Sequence, residues 1–416
     1  MAFTSLNHHL DLEWMKYAYE CTRKDGAVGV DGQTAQDYAA NLEQNLSRLI
    51  DALKSGSFRA LPVRRHYIPK TGGGERPLGI PSFEDKVAQR AIAMLLEPIY
   101  EQDFLDCSYG FRPGRSAHQA LRAVWRGSVE RRGHWVLDVD VRKYFDSIPL
   151  PKLRELLAKR VTDGVVTRTI HKWLKAGVLQ DGQLFYPDAG TPQGGVISPL
   201  LSNIFLHYVL DEWFASEVQP RLRGPSTLVR YADDFVMLFA YREDAQRVLA
   251  VLAKRLGKYG LQLHPDKTRL VDFRAVRPPG EEEGKLPTNF TFLGFVHVWG
   301  RTRTGRSMVV KQLTAKDRFA RAVLKLSTQC RAMSHWPLAQ QHLRLCQMLK
   351  GHFAYFGITG NLRRLERLCV RAVRCWRYWL ARRSRLRVLS WAAFKQQVLA
   401  RWPLPRPRIV HRYATA

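Results

Sequence analysis

Acidic side chains are almost absent from the last 116 residues of this 416-residue sequence. Residues 301–416 contain 26 lysines and arginines against only Asp317 and Glu366, whereas residues 1–300 contain 40 basic and 35 acidic residues. An excess of one sign costs self-repulsion when no partner is present, and a general preference for arginine would spread the excess evenly. A polyanion is the natural partner, because each neutralised phosphate releases a counterion.

Other absences narrow the class of protein further. No apolar run reaches the roughly 18 residues of a membrane span, and the N-terminus lacks the basic start and apolar stretch of a signal peptide. The six cysteines form no CxxC pair, which argues against a zinc knuckle and indicates reduced thiols. We therefore expect a cytoplasmic protein, associated with the nucleoid and with no membrane, of two or three globular domains.

The hydrophobic pattern predicts an α+β unit followed by a basic helical unit. β-rich apolar runs at 134–141, 227–240 and 290–298 predict strands. The spacing of apolar residues predicts helices over 82–100 and 244–259. From about residue 311 onward the pattern predicts only helices, over 311–332, 338–357, 361–383 and 389–400.

Carboxylates that follow apolar runs indicate a metal site. Two adjacent aspartates in Tyr231-Ala-Asp-Asp234 would be costly to bury without cations. The alternative is a hairpin turn, although such turns favour Asn-Gly or Asp-Gly. Asp140 supplies a third carboxylate, and spacing alone leaves Asp138 and Asp146 as rivals. Three carboxylates on neighbouring strands can hold two Mg²⁺ ions about 3.5–4 Å apart for phosphoryl transfer, and oxygen ligands suit Mg²⁺ or Mn²⁺ better than zinc.

These aspartates belong to a series of motifs that resembles the group II intron-encoded reverse transcriptases, also called maturases. In chain order the motifs are Gly29-Val-Asp-Gly32, Arg76-Pro-Leu-Gly-Ile-Pro81, Tyr109-Gly-Phe-Arg-Pro-Gly114, Asp140–Asp146, Gly190-Thr-Pro-Gln-Gly-Gly195 with Ser198-Pro-Leu200, Tyr231–Asp234, Gly260-Leu-Gln-Leu263 with Lys267, and Phe292-Leu-Gly294. The resemblance favours Asp140 over Asp138. It implies an RNA-directed DNA polymerase with the catalytic residues Asp140, Asp233 and Asp234, and a metal-binding set of Asp140, Val141, Asp233 and Asp234.

The resemblance also implies a site for deoxynucleoside triphosphates. Lys70 and Arg76 would embrace the triphosphate, Phe145 would be a steric gate against the ribose 2′-hydroxyl, Gln193 would line the pocket, and Lys267 would lie near the phosphates. The residues alone leave other interpretations open. Lys70 and Arg76 could form a basic surface hairpin, Phe145 could be a core residue, and Lys267 could be solvated.

The last hundred residues resemble the family's thumb and maturase domain, through 351–357 and 360–364. In Arg374-Cys-Trp-Arg-Tyr-Trp379, guanidinium and aromatic groups alternate, which suits stacking and phosphate contact on RNA. An amphipathic helix with aromatic core residues is the alternative. The expected RNA-binding residues are Arg363, Arg364, Arg374, Arg377, Arg382 and Arg383.

The implied fold is a right-hand polymerase of α+β class. It would comprise an N-terminal extension (1–60), fingers and palm with an antiparallel sheet (61–305), and an all-helical basic thumb and maturase domain (306–416). The implied partners are intron or other structured RNA and a DNA primer or target. No endonuclease motif follows, so we expect the primer to come from another source. The alternatives are a domesticated reverse transcriptase of DNA repair or phage defence, and an RNA-binding splicing cofactor with a vestigial polymerase site. The oligomeric state stays open.

Overall fold

The computed structural model describes residues 2–69, 74–180, 183–186, 194–276, 286–302, 304–383 and 389–413. The helices are α1 (Leu12–Cys21), α2 (Ala35–Ala39), α3 (Leu42–Ser55), α4 (Phe83–Glu101), α5 (Ala117–Val129), α6 (Tyr144–Ser147), α7 (Leu150–Ala158), α8 (Gly164–Lys175), α9 (Ser198–Leu206), α10 (Arg242–Lys258), α11 (Lys316–Ala332), α12 (Leu338–Phe356), α13 (Leu362–Ala381) and α14 (Trp391–Ala393). The strands are β1 (Val63–Pro69), β2 (Glu75–Ile80), β3 (Trp135–Val139), β4 (Val178–Gln180), β5 (Gln183–Phe185), β6 (Ser226–Tyr231), β7 (Asp234–Phe239), β8 (Arg269–Asp272), β9 (Phe290–Phe292), β10 (Phe295–Arg301) and β11 (Met308–Thr314).

The described strands form three sheets, with the orders β2-β1-β4-β5, β6-β7-β3-β8 and β11-β10-β9. The chain divides into two compact units, one of Met1–Ala120 with Leu137–Arg269, the other of Leu121–Val136 with Leu270–Ala416. The division passes through α5, β3 and β8. The predicted mixture of helices with antiparallel sheet is confirmed, whereas the assignment of fingers, palm and thumb stays a prediction.

In the first unit, the apolar run 227–240, predicted as one strand, forms parts of two strands, β6 and β7. They pair antiparallel from Ser226↔Phe239 to Tyr231↔Asp234, so the predicted strand over 227–240 is a hairpin. All but one residue of α9 is buried, and the chain continues through π-helical segments at His207–Asp211 and Phe214–Val218. Polar residues inside this apolar run, among them Asn203 and Asp211, are therefore buried as well.

The second unit differs from the predicted pattern at two places. The strand predicted over 290–298 is a hairpin, because Leu293 and Gly294 both have positive φ (50° and 81°) and reverse the chain between β9 and β10. The helix predicted from residue 311 begins at Lys316. Residues 308–314 instead pair with β10, and their alternate residues Val310, Gln312 and Thr314 are buried.

The helices of the second unit bury their own core. Leu326 of α11, Leu349 of α12 and Leu368 and Trp376 of α13 meet in one cluster of apolar side chains. The Trp376 indole donates to Gln341 Oε1 at 2.8 Å, so this large ring is buried with its only polar atom satisfied. Among the described residues, no helix is long and apolar enough to pass through a membrane.

Candidate active site

The two aspartates of the Tyr231–Asp234 motif are at a tight turn. Because Tyr231 pairs with Asp234, only Ala232 and Asp233 connect β6 to β7. Ala232 has a φ of 58°, a left-handed conformation that is unfavourable for a residue with a Cβ atom. The hairpin interpretation and the metal-ligand interpretation of this motif are thus compatible, since the turn presents Asp233 half-buried and Asp234 exposed.

Asp140 follows β3, the strand that neighbours β7. Its backbone is fixed by the segment before β8, where the amide of His264 donates to the Asp140 carbonyl at 2.8 Å and Thr268 Oγ1 does so at 3.2 Å. The Asp140 side chain is 41% exposed, and its Oδ2 lies 3.3 Å from Lys267 Nζ. Lys267 is therefore paired with a predicted metal ligand in this structure.

Asp138 and Asp146, the other candidates for the third carboxylate, have different surroundings. Asp138 is only 16% exposed and binds Arg269 with two N–O distances of 2.9 and 3.0 Å. Burial raises the pKa of the Asp138 carboxyl, and the Arg269 guanidinium opposes this shift. Asp146 lies on the exposed side of the short helix α6. Asp138 and Asp140 thus each pair with a basic side chain, Arg269 and Lys267 respectively, and the choice of Asp140 as the metal ligand stays a prediction.

The charges of Asp140 and of Arg76 on β2 both affect the pKa of the Asp233 carboxyl. Burial is the main cause that raises the pKa of Asp233; the Asp140 charge raises it further, and Arg76 and Arg230 lower it. A cation between the two carboxylates would offset both the cost of burying the Asp233 charge and its repulsion by Asp140. The all-oxygen donor set fits Mg²⁺ or Mn²⁺. Within the described ranges, no group of three His, Cys, Asp or Glu side chains already stands in metal-binding arrangement.

The structure describes some of the predicted nucleotide-binding residues. Phe145 is half-buried on α6, with its ring 5.2 Å from that of Tyr144. Tyr144 is buried and its hydroxyl donates to the Ser202 carbonyl at 3.0 Å, which anchors the position beside Phe145. Arg76 is exposed. Lys70 and Gln193 lie outside the described residues.

The six arginines predicted to bind RNA fall into two groups in the second unit. Arg363, Arg364 and Arg374 lie on a face of α13 that also carries Arg367 and Arg371, which the sequence motifs do not single out. A groove of about 640 Å³ runs along this face, and it is lined by these arginines together with Glu366, Val370 and Phe319 of α11. In the part of the chain that the structure describes, no carboxylate forms an ion pair with any of these five arginines.

The other three arginines contact the protein itself. Arg377 donates to the Leu389 carbonyl at 2.6 Å and its guanidinium lies 4.3 Å above the Trp391 ring. Arg383 donates to the carbonyls of Ser334 and Trp336. Arg382 lies 4.3 Å above the ring of Tyr378, which is 47% exposed. Arg377 and Arg383 therefore have structural partners. Of the aromatic residues predicted to be either core or RNA-stacking, Trp376 is buried whereas Tyr378 is exposed.

The residues that support the turn from behind were missed by sequence reasoning. Gly110 approaches so closely that a Cβ atom on it would lie 2.4 Å from the Ala232 nitrogen. The Gly110 carbonyl accepts from Asn203 Nδ2 at 2.7 Å, and Asn203 in turn accepts from Arg230. The signal in the sequence was the presence of Asn203, Asp211 and Arg230 inside otherwise apolar runs.

Comparison with known proteins identifies the family. The family described as "Reverse transcriptase (RNA-dependent DNA polymerase)" matches residues 68–297, which contain both the turn and Asp140. The chain belongs to this reverse transcriptase family. The prediction of an RNA-directed DNA polymerase is thereby confirmed.

Relatives of this reverse transcriptase include proteins encoded by introns. It is 36% identical over 340 residues to Protein YkfC of Escherichia coli K12, which covers 72% of this chain and 84% of YkfC. It is 39% identical over 210 residues to the group II intron-encoded protein LtrA of Lactococcus lactis, which covers 49% of this chain and 34% of LtrA. Nuclear intron maturase 2 of Arabidopsis thaliana is 32% identical over 175 residues, or 33% of this chain and 24% of the maturase. The predicted resemblance to group II intron-encoded proteins is confirmed, although the chain spans only about a third of the length of LtrA.

The close approach of Gly110 generates a test of the turn geometry. Because an added Cβ would also lie 2.9 Å from the Tyr231 carbonyl carbon, Gly110→Ala must displace the Tyr231–Asp233 backbone. A misplacement of about 1 Å can cost a reaction roughly 100-fold, so we expect kcat for primer extension on RNA to fall by about that factor. The matched control is Gly164→Ala in the first turn of α8, where a Cβ meets nothing within 4 Å. A Gly110→Ala enzyme as active as the control would show that the turn tolerates displacement.

Proposed function

We propose that this reverse transcriptase copies RNA into DNA by two-metal phosphoryl transfer at Asp140, Asp233 and Asp234. The observation that carries the proposal is the turn between β6 and β7, which brings Asp233 near enough to Asp140 for the two charges to interact. The carbonyl oxygen of Val141 is the atom through which this apolar residue would join the metal site. Two bound Mg²⁺ ions would activate the primer 3′-hydroxyl and stabilise the pyrophosphate that leaves.

The chain's own cations complete the charge balance of this site. Lys267 lies 3.3 Å from Asp140 Oδ2 and offsets the negative charge there. When a cation takes over that role, the Lys267 ammonium becomes available to a phosphate of the incoming nucleotide. Arg76, whose charge already lowers the pKa of Asp233, would meet the same triphosphate from β2, together with Lys70. Phe145, fixed beside the anchored Tyr144, would exclude the 2′-hydroxyl of a ribonucleotide, and Gln193 would line the pocket.

We further infer that the RNA is structured and that the enzyme has the maturase role of a group II intron protein, in the cytoplasm near the nucleoid. Support comes from the intron-encoded relatives and from α13, whose exposed arginines have no carboxylate partners among the described residues. Phosphate groups would supply those partners. On this proposal the second unit contributes the thumb and maturase surface, and the first unit contributes the polymerase site.

Substitution of the aspartates tests the proposed metal site. Asp233→Ala or Asp140→Ala should lower primer extension by about a thousandfold or more, because several kcal/mol of charge stabilisation disappear with the metal ligand. RNA affinity should stay within about twofold, since the phosphate contacts lie elsewhere. The control is Asp138→Ala, which removes a half-buried carboxylate bound to Arg269 and should have a much milder effect. Extension within tenfold of wild type in either mutant would favour a splicing cofactor with a vestigial site.

Substitution of Phe145 tests sugar selection. Phe145→Ala should admit ribonucleotides, because the loss of the ring opens space beside the 2′-carbon. The measurement is the ratio of kcat/KM for a deoxynucleotide over the matching ribonucleotide, which we expect to fall by at least about tenfold, or roughly 1.4 kcal/mol. Phe145→Tyr, which keeps the ring, serves as the control. If the ratio is unchanged in a folded and active Phe145→Ala enzyme, Phe145 is a packing residue only.

Two sets of substitutions separate the roles of the two groups of arginines on α13. Replacing Arg363, Arg367, Arg371 and Arg374 with Gln keeps helix propensity and should reduce the slope of log affinity for structured RNA against log salt by roughly 0.7–0.9 for each phosphate that is no longer neutralised. The control replaces Arg377 and Arg383 with Gln on the same helix. Because those side chains contact the protein, we expect the control to lower Tm while the salt slope changes less. Equal slopes in wild type and the quadruple variant would exclude this face as the RNA-binding surface.

A further inference from the structure

Arg230 is a fully buried charge directly before the Tyr231–Asp234 motif. Both it and its partner Asp211 have no exposed side-chain surface. The Arg230 Nε donates to Asp211 Oδ1 at 2.8 Å and Nη2 donates to Asp211 Oδ2 at 2.5 Å, in a bidentate pair. A buried pair of this kind is often no more stabilising than apolar residues of the same volume. Its presence behind the active-site turn therefore calls for a role other than stability alone.

The remaining contacts of the guanidinium point toward the turn. Nη1 donates to the Ala232 carbonyl at 3.0 Å and to Asn203 Oδ1 at 2.9 Å. The Ala232 carbonyl belongs to the peptide group that joins Ala232 to Asp233. The Arg230 guanidinium thus bonds both to Asp211 and to the backbone next to Asp233. Asp211 lies in the π-helical segment after α9.

The same residues brace the turn from a second side. The Arg230 amide donates to the Cys107 carbonyl at 2.8 Å, and the Arg230 carbonyl accepts from the Tyr109 amide at 2.9 Å. Asn203 accepts a hydrogen bond from Arg230 Nη1 and donates one to the carbonyl of Gly110. Gly110 in turn packs against the Ala232 nitrogen. The left-handed Ala232 is therefore contacted by both Arg230 and Gly110, and Asn203 bonds to each of these two residues.

We propose that Arg230 is a positioning residue for metal binding. Through the Ala232 carbonyl its guanidinium fixes the orientation of the Ala232–Asp233 peptide, and so the direction in which the Asp233 carboxylate meets a divalent cation. The inference rests on the proposed function, because it takes Asp233 to be a metal ligand. Lysine cannot replace arginine here, since only a planar fork can bind both Asp211 oxygens and still donate to Ala232 and Asn203.

The test compares Arg230→Lys with wild type in the full chain, with Mn²⁺ as the probe. Mn²⁺ binding to the complex with an RNA template and a DNA primer is followed by the decrease of the free-ion electron paramagnetic resonance signal. Residues that orient a metal ligand typically affect metal affinity about 10–100-fold, and we expect the Mn²⁺ dissociation constant of Arg230→Lys to rise by at least tenfold. We also expect kcat to fall while the affinity for the RNA–primer duplex stays unchanged.

The matched control is Arg160→Lys, which alters an Arg–Asp pair of the same unit with an N–O distance of 2.9 Å, to Asp103. If Arg230→Lys loses thermal stability but binds Mn²⁺ like the control, Arg230 is a packing ion pair and the inference is overturned. Asp233→Ala distinguishes this from failure of the proposed function. If that variant also keeps Mn²⁺ affinity and primer extension, the proposed metal site itself is wrong.

A second variant covers the case in which Arg230→Lys does not fold. Asn203→Ala leaves the Arg230–Asp211 pair intact but removes one acceptor of Nη1 and the support of Gly110. We expect a smaller rise in the Mn²⁺ dissociation constant, about threefold to tenfold, because a weakened support orients the metal ligand less well. Unchanged Mn²⁺ affinity in this folded variant would overturn the inference.

Discussion

Like-charged carboxylates repel each other, and the first unit holds Asp140 and Asp233 near one another in spite of that repulsion. Three features keep the two carboxylates near each other. The two-residue connection between β6 and β7 leaves Asp233 little freedom, the segment before β8 fixes the Asp140 backbone through His264 and Thr268, and Lys267 offsets part of the charge. The buried guanidinium of Arg230 then ties the turn to the helical layer behind it. A site that is already ordered needs little rearrangement when a cation binds.

The position of the aspartates at the ends of strands could be predicted from the sequence because that signal is local, whereas their role as metal ligands stays a prediction. Charged residues at the ends of apolar runs stand out, and the motif order favours Asp140 over Asp138 without any knowledge of the Arg269 contact. The supporting residues could not be predicted in the same way. Arg230, Asp211 and Asn203 are separated by up to 27 positions, and only the fold brings their side chains together.

The errors in the second unit also have local causes. Leu293 adopts a left-handed conformation that is rare for a residue with a branched side chain, so the turn between β9 and β10 could not be read from the sequence. Over 308–314 the burial alternates, which is the period of a strand, but the run is short and continues directly into α11. Within α13 the arginines look alike in sequence. Arg377 and Arg383 contact residues near 389–391 and 334–336, and spacing within the helix does not reveal these partners.

The exposed face of α13 has a thermodynamic consequence. Arg363 and Arg367, and again Arg367 and Arg371, are four residues apart on one face, and like charges at this spacing destabilise a helix by about 0.2–0.5 kcal/mol per pair. A polyanion that lies along the face removes that repulsion, so the stability of the helix and the affinity of the complex are linked. The linkage is reciprocal. On the proposed function, bound RNA would therefore stabilise this helix, and the helix would by the same free energy favour the RNA conformation that binds it.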